Sequence, residues 1–322
     1  MRETMKAYKL ARAEYVEEAV LPIPAIGADE VLLRMLVCGV CSSELYSYRN
    51  FAAPGKIYGH EGVGIVEQVG TCVSEFQVGD RVTGMMWQCF AEYTAAKAAY
   101  LVKVPDSLDD WEAIGEPLAD LMSGVLRTPL NPGDPFAIVG TGYMGLGFLQ
   151  LMRAKGATNV IAVDTREEGL EHARRFGAAE TYLADGVPKK YIVNEWDDRI
   201  FQRGVPTVAE ATGAQQALTL AGDMTGVHGT LSIVGFHQGG PRTVAMNLWN
   251  WKALTVVNAH ERRMELCPKF IKSALNLVVS GQVNAKDMMT NRYGFDGINQ
   301  AYHDLMSKPK GYIKGAIRIG ER

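Results

Sequence analysis

The sequence lacks the features of a disulfide-stapled, nucleic-acid-binding or membrane-spanning protein. Its five cysteines, Cys38, Cys41, Cys72, Cys89 and Cys267, are scattered over 322 residues with no regular spacing, which excludes a disulfide framework. Positive charge is not in surplus: 33 Lys and Arg face 36 Asp and Glu, a formal net charge of −3. A nucleic-acid or membrane-surface partner calls for a basic excess, so neither is expected. The N-terminal stretch Met1–Lys6 is charged and leads into mixed polar sequence. It offers no signal-peptide apolar region, and a cytoplasmic protein is expected. Residues 135–152 carry no charge and reach membrane-spanning length, but Gly140, Gly142, Gly145 and Gly147 interrupt them and they open as a strand. Internal repeats and low-complexity linkers are also missing. What remains is an ordinary globular composition, 47% hydrophobic and 21% charged, long enough for two domains at about 150 residues each.

The first third reads as β-rich. Short apolar or alternating runs occur at Met5–Leu10, Glu30–Val37, Gly62–Val69, Arg81–Thr83, Ala91–Thr94 and Leu101–Val104, punctuated by Pro22, Pro24, Gly27, Pro54-Gly55 and Gly79-Asp80. Such spacing predicts a barrel-like or sandwiched β module. From Asn131-Pro132-Gly133-Asp134 the texture changes. Strands are predicted at Phe136–Val139, Asn159–Val163, Thr181–Leu183, Thr207–Ala209, Thr230–Val234 and Ala253–Val257. Helices run from the glycine-rich turn to Lys155, over Arg166–Phe176 and over Gln215–Met224. Strand–helix alternation means βαβ units, and six strands complete one doubly wound parallel sheet. A helix near Pro268–Val279 and a tail with a final strand, Tyr312–Ile319, follow, and the tail is expected to return to the first module.

Gly140-Thr141-Gly142-Tyr143-Met144-Gly145 follows the strand Phe136–Val139 and opens a helix, and Asp164 closes the next strand 24 residues after Gly140. Gly140 permits the tight turn, Gly142 lets the backbone approach a pyrophosphate, and Gly145 lets helix and strand pack closely. The phosphates would sit at the positive helix end, and Asp164 would accept hydrogen bonds from the adenosine ribose. A carboxylate there repels a 2′-phosphate and favours NAD over NADP, although Arg166 could receive that phosphate. A second group of residues carries metal chemistry. Cys38-Gly39-Val40-Cys41-Ser42-Ser43-Glu44, then Gly59-His60-Glu61-Gly62, then Gly115-Glu116-Pro117-Leu118 supply Cys, His and Glu. That donor set suits a catalytic zinc with three protein ligands and one open position. Buried small cysteines, a redox CxxC and a satisfied core histidine are the alternatives on spacing alone.

These motifs, with Val69-Gly70, Val78-Gly79-Asp80-Arg81-Val82, Glu210-Ala-Thr-Gly213 and Gly229-Thr-Leu-Ser-Ile-Val-Gly235, resemble the zinc-type medium-chain dehydrogenase/reductase superfamily over nearly the whole chain. The resemblance implies a GroES-like β-barrel catalytic domain from residues 1–125 and 258–322, with a Rossmann domain over 126–257. Carried over by position, Cys41 and His60 would bind one catalytic zinc, with Glu61 and Glu116 alternating as third ligand. Ser43 would take the substrate proton and Tyr46 would stand at the relay's outer step. Glu44 would support the ligand histidine. Thr212 and Gly235 join the glycine turn, Asp164 and Arg166 at the cofactor. The four-cysteine lobe of a structural zinc is replaced by a direct run to Cys89, so no second zinc is expected. Glu116, where relatives carry a third cysteine, looks like the polyol branch. The implied reaction is NAD-dependent oxidation of a polyol, cyclitol or sugar-derived secondary alcohol to a ketone, in a homodimer or homotetramer. Met86, Trp87, His260 and Glu261 are the candidates facing this small hydroxyl-bearing substrate. A zinc-free NADPH-dependent quinone or enoyl reductase, or a dinucleotide-binding protein without turnover, are the competing readings.

Overall fold

The computed structural model describes residues 3–322; Met1 and Arg2 of the charged N-terminal stretch lie outside the described residues. In chain order the elements are β1 (Thr4–Arg12), β2 (Tyr15–Pro22), β3 (Glu30–Gly39), α1 (Leu45–Asn50), β4 (Glu61–Val69), β5 (Arg81–Gly84), β6 (Tyr93–Lys97), β7 (Leu101–Lys103) and α2 (Glu116–Arg127). Then follow β8 (Phe136–Val139), α3 (Tyr143–Lys155), β9 (Val160–Asp164), α4 (Glu167–Arg175), β10 (Glu180–Leu183), β11 (Val205–Glu210), α5 (Gln215–Met224), β12 (Thr225–Ile233), α6 (Met246–Trp251) and β13 (Thr255–Asn258). The chain ends with α7 (Cys267–Val279), β14 (Asn291–Tyr293), α8 (Ile298–Ser307) and β15 (Gly315–Arg318).

These elements form two compact units. One runs to Ala119 and adds Arg262–Gly281 and Ala285–Arg322; the second comprises Asp120–Glu261 with Gln282–Asn284. The boundaries at 119/120 and 261/262 differ by a few residues from those expected at 125/126 and 257/258, for a visible reason. Arg127 donates to the carbonyls of Asn258 and His260 at 2.7 Å each, and Ser123 Oγ donates to Glu261 Oε2 at 2.8 Å. Most of α2 and the segment after β13 are therefore tied to each other in the second unit.

The first unit is built on a seven-stranded sheet ordered β14-β15-β3-β4-β5-β7, with β6 also pairing β3. Strand β3 is the hub, and its apolar run Val31, Leu32, Leu33, Met35, Leu36 and Val37 is fully buried, as a central strand covered on both faces requires. The C-terminal strand β15 lies antiparallel to β3 with Ile317 opposite Cys38 and Ala316 opposite Gly39. The tail thus returns to the first module. Strands β1 and β2 form a separate hairpin, and β2 was not evident in the sequence. Its Glu17-Glu18 pair breaks the two-residue alternation because most of its residues stay accessible.

The second unit carries a six-stranded parallel sheet ordered β10-β9-β8-β11-β12-β13, the 3-2-1-4-5-6 order of a doubly wound nucleotide fold. Phe136, Ala137, Ile138, Val160, Ile161, Ala162 and Val163 are completely buried at its centre. Each large aliphatic among them contributes about 1.5–3 kcal/mol by leaving water. The uncharged stretch 135–152 resolves into β8, a turn and most of α3. Among the described residues no helix is long and apolar enough to cross a membrane.

Candidate active site

Two clusters of side chains carry chemistry, one in each unit. In the first, the end of β3, the turn after it and the start of β4 bring Cys41, His60 and Glu61 together. One ligand atom from each lies within 4.8 Å of the other two. Local backbone explains the convergence. Cys41 precedes a 3-10 turn over Ser42–Glu44 that runs into α1. Gly59 adopts φ +89°, a left-handed conformation that swings His60 to the mouth of β4. Gly39 faces Glu61 across the β3–β4 ladder, and a Cβ there would fall 2.0 Å from Glu61 Oε2. Glycine therefore makes the space that the carboxylate fills.

Each donor is held by a partner. Glu44 is buried; its Oε1 accepts from Gly59 N at 2.9 Å and binds His60 Nδ1 at 3.0 Å. This fixes a proton on Nδ1 and turns the other ring nitrogen, Nε2, away from Glu44. Burial pushes the Glu44 carboxyl up, but its bonds to His60, Tyr302 and Gly59 outweigh this and hold it below the usual carboxylate range. Burial likewise disfavours a charged His60, but Cys41 and Glu44 beside it reverse the balance and raise it. Surroundings that favour a cationic ring also favour a divalent cation. Ser43 Oγ donates to Cys41 Sγ at 3.2 Å and is exposed. Glu61 is 1% exposed, and Lys314 Nζ stands 2.7 Å from its Oε1 and 2.6 Å from its Oε2. Oε2 nevertheless accepts no well-aligned hydrogen bond. A thiol, an imidazole oriented through Nδ1 and a buried carboxylate form a donor set that fits zinc.

The other predicted residues of this unit fall differently. Glu116 starts α2, is half-buried, and is not among the three clustered donors. Tyr46 is 63% exposed on α1, and its carbonyl accepts from Asn50 Nδ2. Met86, expected to face substrate, is completely buried in the core among Met35 and Cys89, with its Sδ over Gly62. It has no surface to offer a ligand. Trp87 beside it is 47% exposed. Cys38 and Cys89 are buried core thiols, with burial pushing Cys38 well up.

In the second unit the glycine turn has the anatomy that its sequence predicts. Gly140 takes φ +97°, Gly142 is the N-cap of α3 with open space where a Cβ would stand, and a Cβ on Gly145 would lie 1.9 Å from Gly140 O. Tyr143 and Met144 form the first turn of α3, at the positive end of the helix. Asp164, at the end of β9, is tied to the turn itself: Oδ2 accepts from Thr141 N at 2.8 Å and Thr141 Oγ1 at 2.7 Å, and Oδ1 accepts from Arg166 N at 3.0 Å. At the ends of β11 and β12, buried Glu210 accepts from Thr212 N and Oγ1 and from Gly213 N, while its Oε2 meets His237 Nε2 at 2.9 Å. A Cβ on Gly235 would strike Gly213 N at 2.2 Å, so these two loops touch only through glycine. His260 Nε2 approaches Gly235 O at 3.3 Å. Glu261, expected to face substrate, is buried instead. Its carboxylate accepts from Ser123 Oγ and its backbone N–H donates to Asp120 Oδ1, which makes it a tie between α2 and the segment after β13.

Two residues at these sites, Lys314 and Tyr302, were not singled out from the sequence. Both come from the returning tail, more than 250 positions from their partners. The one available signal was a lysine inside the apolar run Tyr312-Ile313-Lys314-Gly315-Ala316-Ile317, where a cation needs a buried counter-charge.

Comparison with known proteins gives a consistent picture. Residues 27–106 match the alcohol dehydrogenase GroES-like domain family, and residues 144–278 match the zinc-binding dehydrogenase family. A sorbitol dehydrogenase of Bacillus subtilis is 27% identical over 335 residues, covering 93% of each chain. An L-threonine 3-dehydrogenase of Pyrococcus horikoshii is 25% identical, over 97% of this chain and 99% of that one. Among solved structures, a zinc-binding dehydrogenase of Sinorhizobium meliloti bound to NADP superimposes with a TM-score of 0.84 at 23% identity, covering 99% of this chain and all of that one.

Proposed function

Since the chain belongs to the zinc-type medium-chain dehydrogenase/reductase superfamily and is an oxidoreductase of the alcohol dehydrogenase family, we propose that it is a zinc-dependent dehydrogenase. It would interconvert a secondary alcohol of the polyol, cyclitol or sugar-derived class and its ketone, with NAD as hydride carrier. The observation that carries this reading is the Cys41–His60–Glu61 cluster, with His60 Nδ1 held by Glu44. These three residues would hold the zinc, with Glu61 favoured over Glu116 as third ligand because it alone shares the cluster. When bound, zinc supplies a Lewis acid for the substrate oxygen and the nicotinamide supplies the hydride acceptor.

The chain's own residues do the rest. Glu44 keeps the proton on His60 Nδ1. Ser43 Oγ, exposed beside Cys41, takes the proton from the substrate hydroxyl and passes it directly to water. With Ser43 itself open to solvent, Tyr46 is not required as an outer relay. The turn Gly140–Gly145 receives the dinucleotide phosphates, and Thr212 and Gly235 border the path of the cofactor beyond them. Asp164 presents a largely buried carboxylate at the ribose end, which supports NAD, while Arg166 Nε lies 3.9 Å from it. The NADP in the Sinorhizobium structure makes cofactor choice the point to measure. A sorbitol dehydrogenase relative and the acidic third position support a polyhydroxylated substrate.

The test is metal content of the purified protein together with NAD+ or NADP+ reduction over polyols, cyclitols and amino sugars. About one zinc per chain, with turnover lost in Cys41→Ser and His60→Ala, is expected. Zinc-free protein that reduces quinones or enones with NADPH would replace this reading with the reductase one. Tight NAD binding without turnover on any substrate would mark a sensor.

A further inference from the structure

We propose that Tyr302 is a positioning residue for the metal site, acting on His60 through Glu44. The inference rests on the zinc reading above and extends it to a residue of the C-terminal segment. Glu44 has two carboxylate oxygens and both are committed. Oε1 serves Gly59 N and His60 Nδ1, and Oε2 accepts the Tyr302 hydroxyl at 2.6 Å. A short O–H···O⁻ bond of this kind is about twice as strong as a neutral one.

Without Tyr302 the carboxylate would be held through one oxygen only and could swing about its terminal torsion, which is intrinsically broad. With it, the carboxylate plane is pinned at both oxygens, and so is the direction from which His60 Nδ1–H is drawn. The ring's Nε2 is then aimed where Cys41 and Glu61 converge.

Tyr302 is itself immobilised. It is completely buried, stacks on Tyr48 at 4.2 Å and 21°, and meets Tyr58 and Phe90 edge-on at 6.1 Å each. The hydroxyls of its neighbours go elsewhere: Tyr48 donates to Glu14 O and Tyr58 to Ser47 Oγ. One hydroxyl of this aromatic cluster reaches the metal site. The rest of the cluster is core, which provides the control for a purely structural role.

The experiment measures zinc affinity by competition with a chromophoric chelator. The proteins are the wild type, Tyr302→Phe, Tyr48→Phe, Glu44→Gln and the double variant Tyr302→Phe/Glu44→Gln. Outer partners of a ligating histidine are worth about 10–100-fold in metal affinity, so Tyr302→Phe should weaken zinc at least 10-fold while keeping the ring and its packing. Tyr48→Phe should leave zinc affinity within twofold. In the Glu44→Gln background, Tyr302→Phe should add nothing further, because its effect travels through that carboxylate. Zinc affinity of Tyr302→Phe equal to wild type, or a full additional loss in the Glu44→Gln background, would overturn the assignment while leaving the zinc reading intact. A wild-type protein that holds no zinc would overturn both.

Discussion

Replacing Lys314 by methionine should make the protein depend on zinc for its stability. Lys314 and Glu61 are 5% and 1% exposed, with Nζ within 2.7 Å of both carboxylate oxygens. Methionine fills nearly the volume of the lysine stem but leaves Glu61 a buried, uncompensated anion. Removing one partner of such a pair costs about 3–5 kcal/mol. For a domain of 150–250 residues each kcal/mol shifts the midpoint by about 2–4 °C, so a loss of roughly 6–20 °C is expected in EDTA. Zinc at a hundredfold excess over its Kd adds about 2.7 kcal/mol to any protein that binds it only when folded. In the variant it should add more, because the ion also restores a counter-charge to Glu61. The assay is thermal unfolding of wild type and Lys314→Met, each stripped with EDTA and then reloaded. The reasoning fails if the stripped variant is as stable as stripped wild type, or if zinc raises both midpoints equally.

Gly145→Ala places a methyl 1.9 Å from Gly140 O; it should cost at least 1–3 kcal/mol of stability and weaken NADH binding more than a hundredfold, read by fluorescence titration. Asp164→Asn removes the charge at the proposed ribose position and should move the NAD-to-NADP ratio of kcat/KM at least tenfold toward NADP, about 1.4 kcal/mol. Burial pulls the Lys252 ammonium down to about 8 from its ordinary 10.5, with Asp223 opposing. The folded protein therefore gives up this proton before the unfolded chain does. Lys252 adds stability as pH climbs from about 8 to 10.5, on the order of 3 kcal/mol, and denaturation midpoints of Lys252→Met should lack that rise relative to wild type. The exposed edge strand β13, where Val256 is 40% exposed, is the surface on which a homodimer or homotetramer is proposed, and Val256→Lys should lower the mass seen by light scattering.

The sequence carries those parts of the fold that rest on local pattern. Phe136–Val139 and Gln215–Met224 lie where their apolar spacing places them, and the glycine turn needs only the residues within it. Short elements with mixed faces were not visible: β2 and α1 leave most of their length accessible, so no stripe or alternation marks them. For the proposed metal site, Cys41, His60 and Glu44 sit in two short motifs, but spacing alone left buried cysteines, a redox CxxC and a core histidine open, and their roles came from the resemblance. Met86 and Glu261 could not be placed, because a residue next to a motif carries no information about which way its side chain turns. In a β-strand that direction reverses with every position.

Lys314 and Tyr302 show what kind of information the sequence withholds. Both reach the site because β15 adds to the edge of β3 and α8 packs beneath it, and each meets an acid whose local motif gives no hint of its partner. Yet the two acids themselves were in view, and burying an acid creates a demand that something must meet. Glu44 binds His60 and Glu61 joins Cys41 and His60 in one cluster, and each buried carboxylate loses its hydration. The fold answers with a phenol hydroxyl for one and an ammonium for the other, taken from the same returning segment. Glu44, with both oxygens filled, is fixed and serves as a support. Glu61 is neutralised by Lys314, and its Oε2, which accepts no aligned hydrogen bond, keeps lone-pair capacity for a cation. That difference in satisfaction, more than sequence position, separates the carboxylate that orients a ligand from the one that would become one.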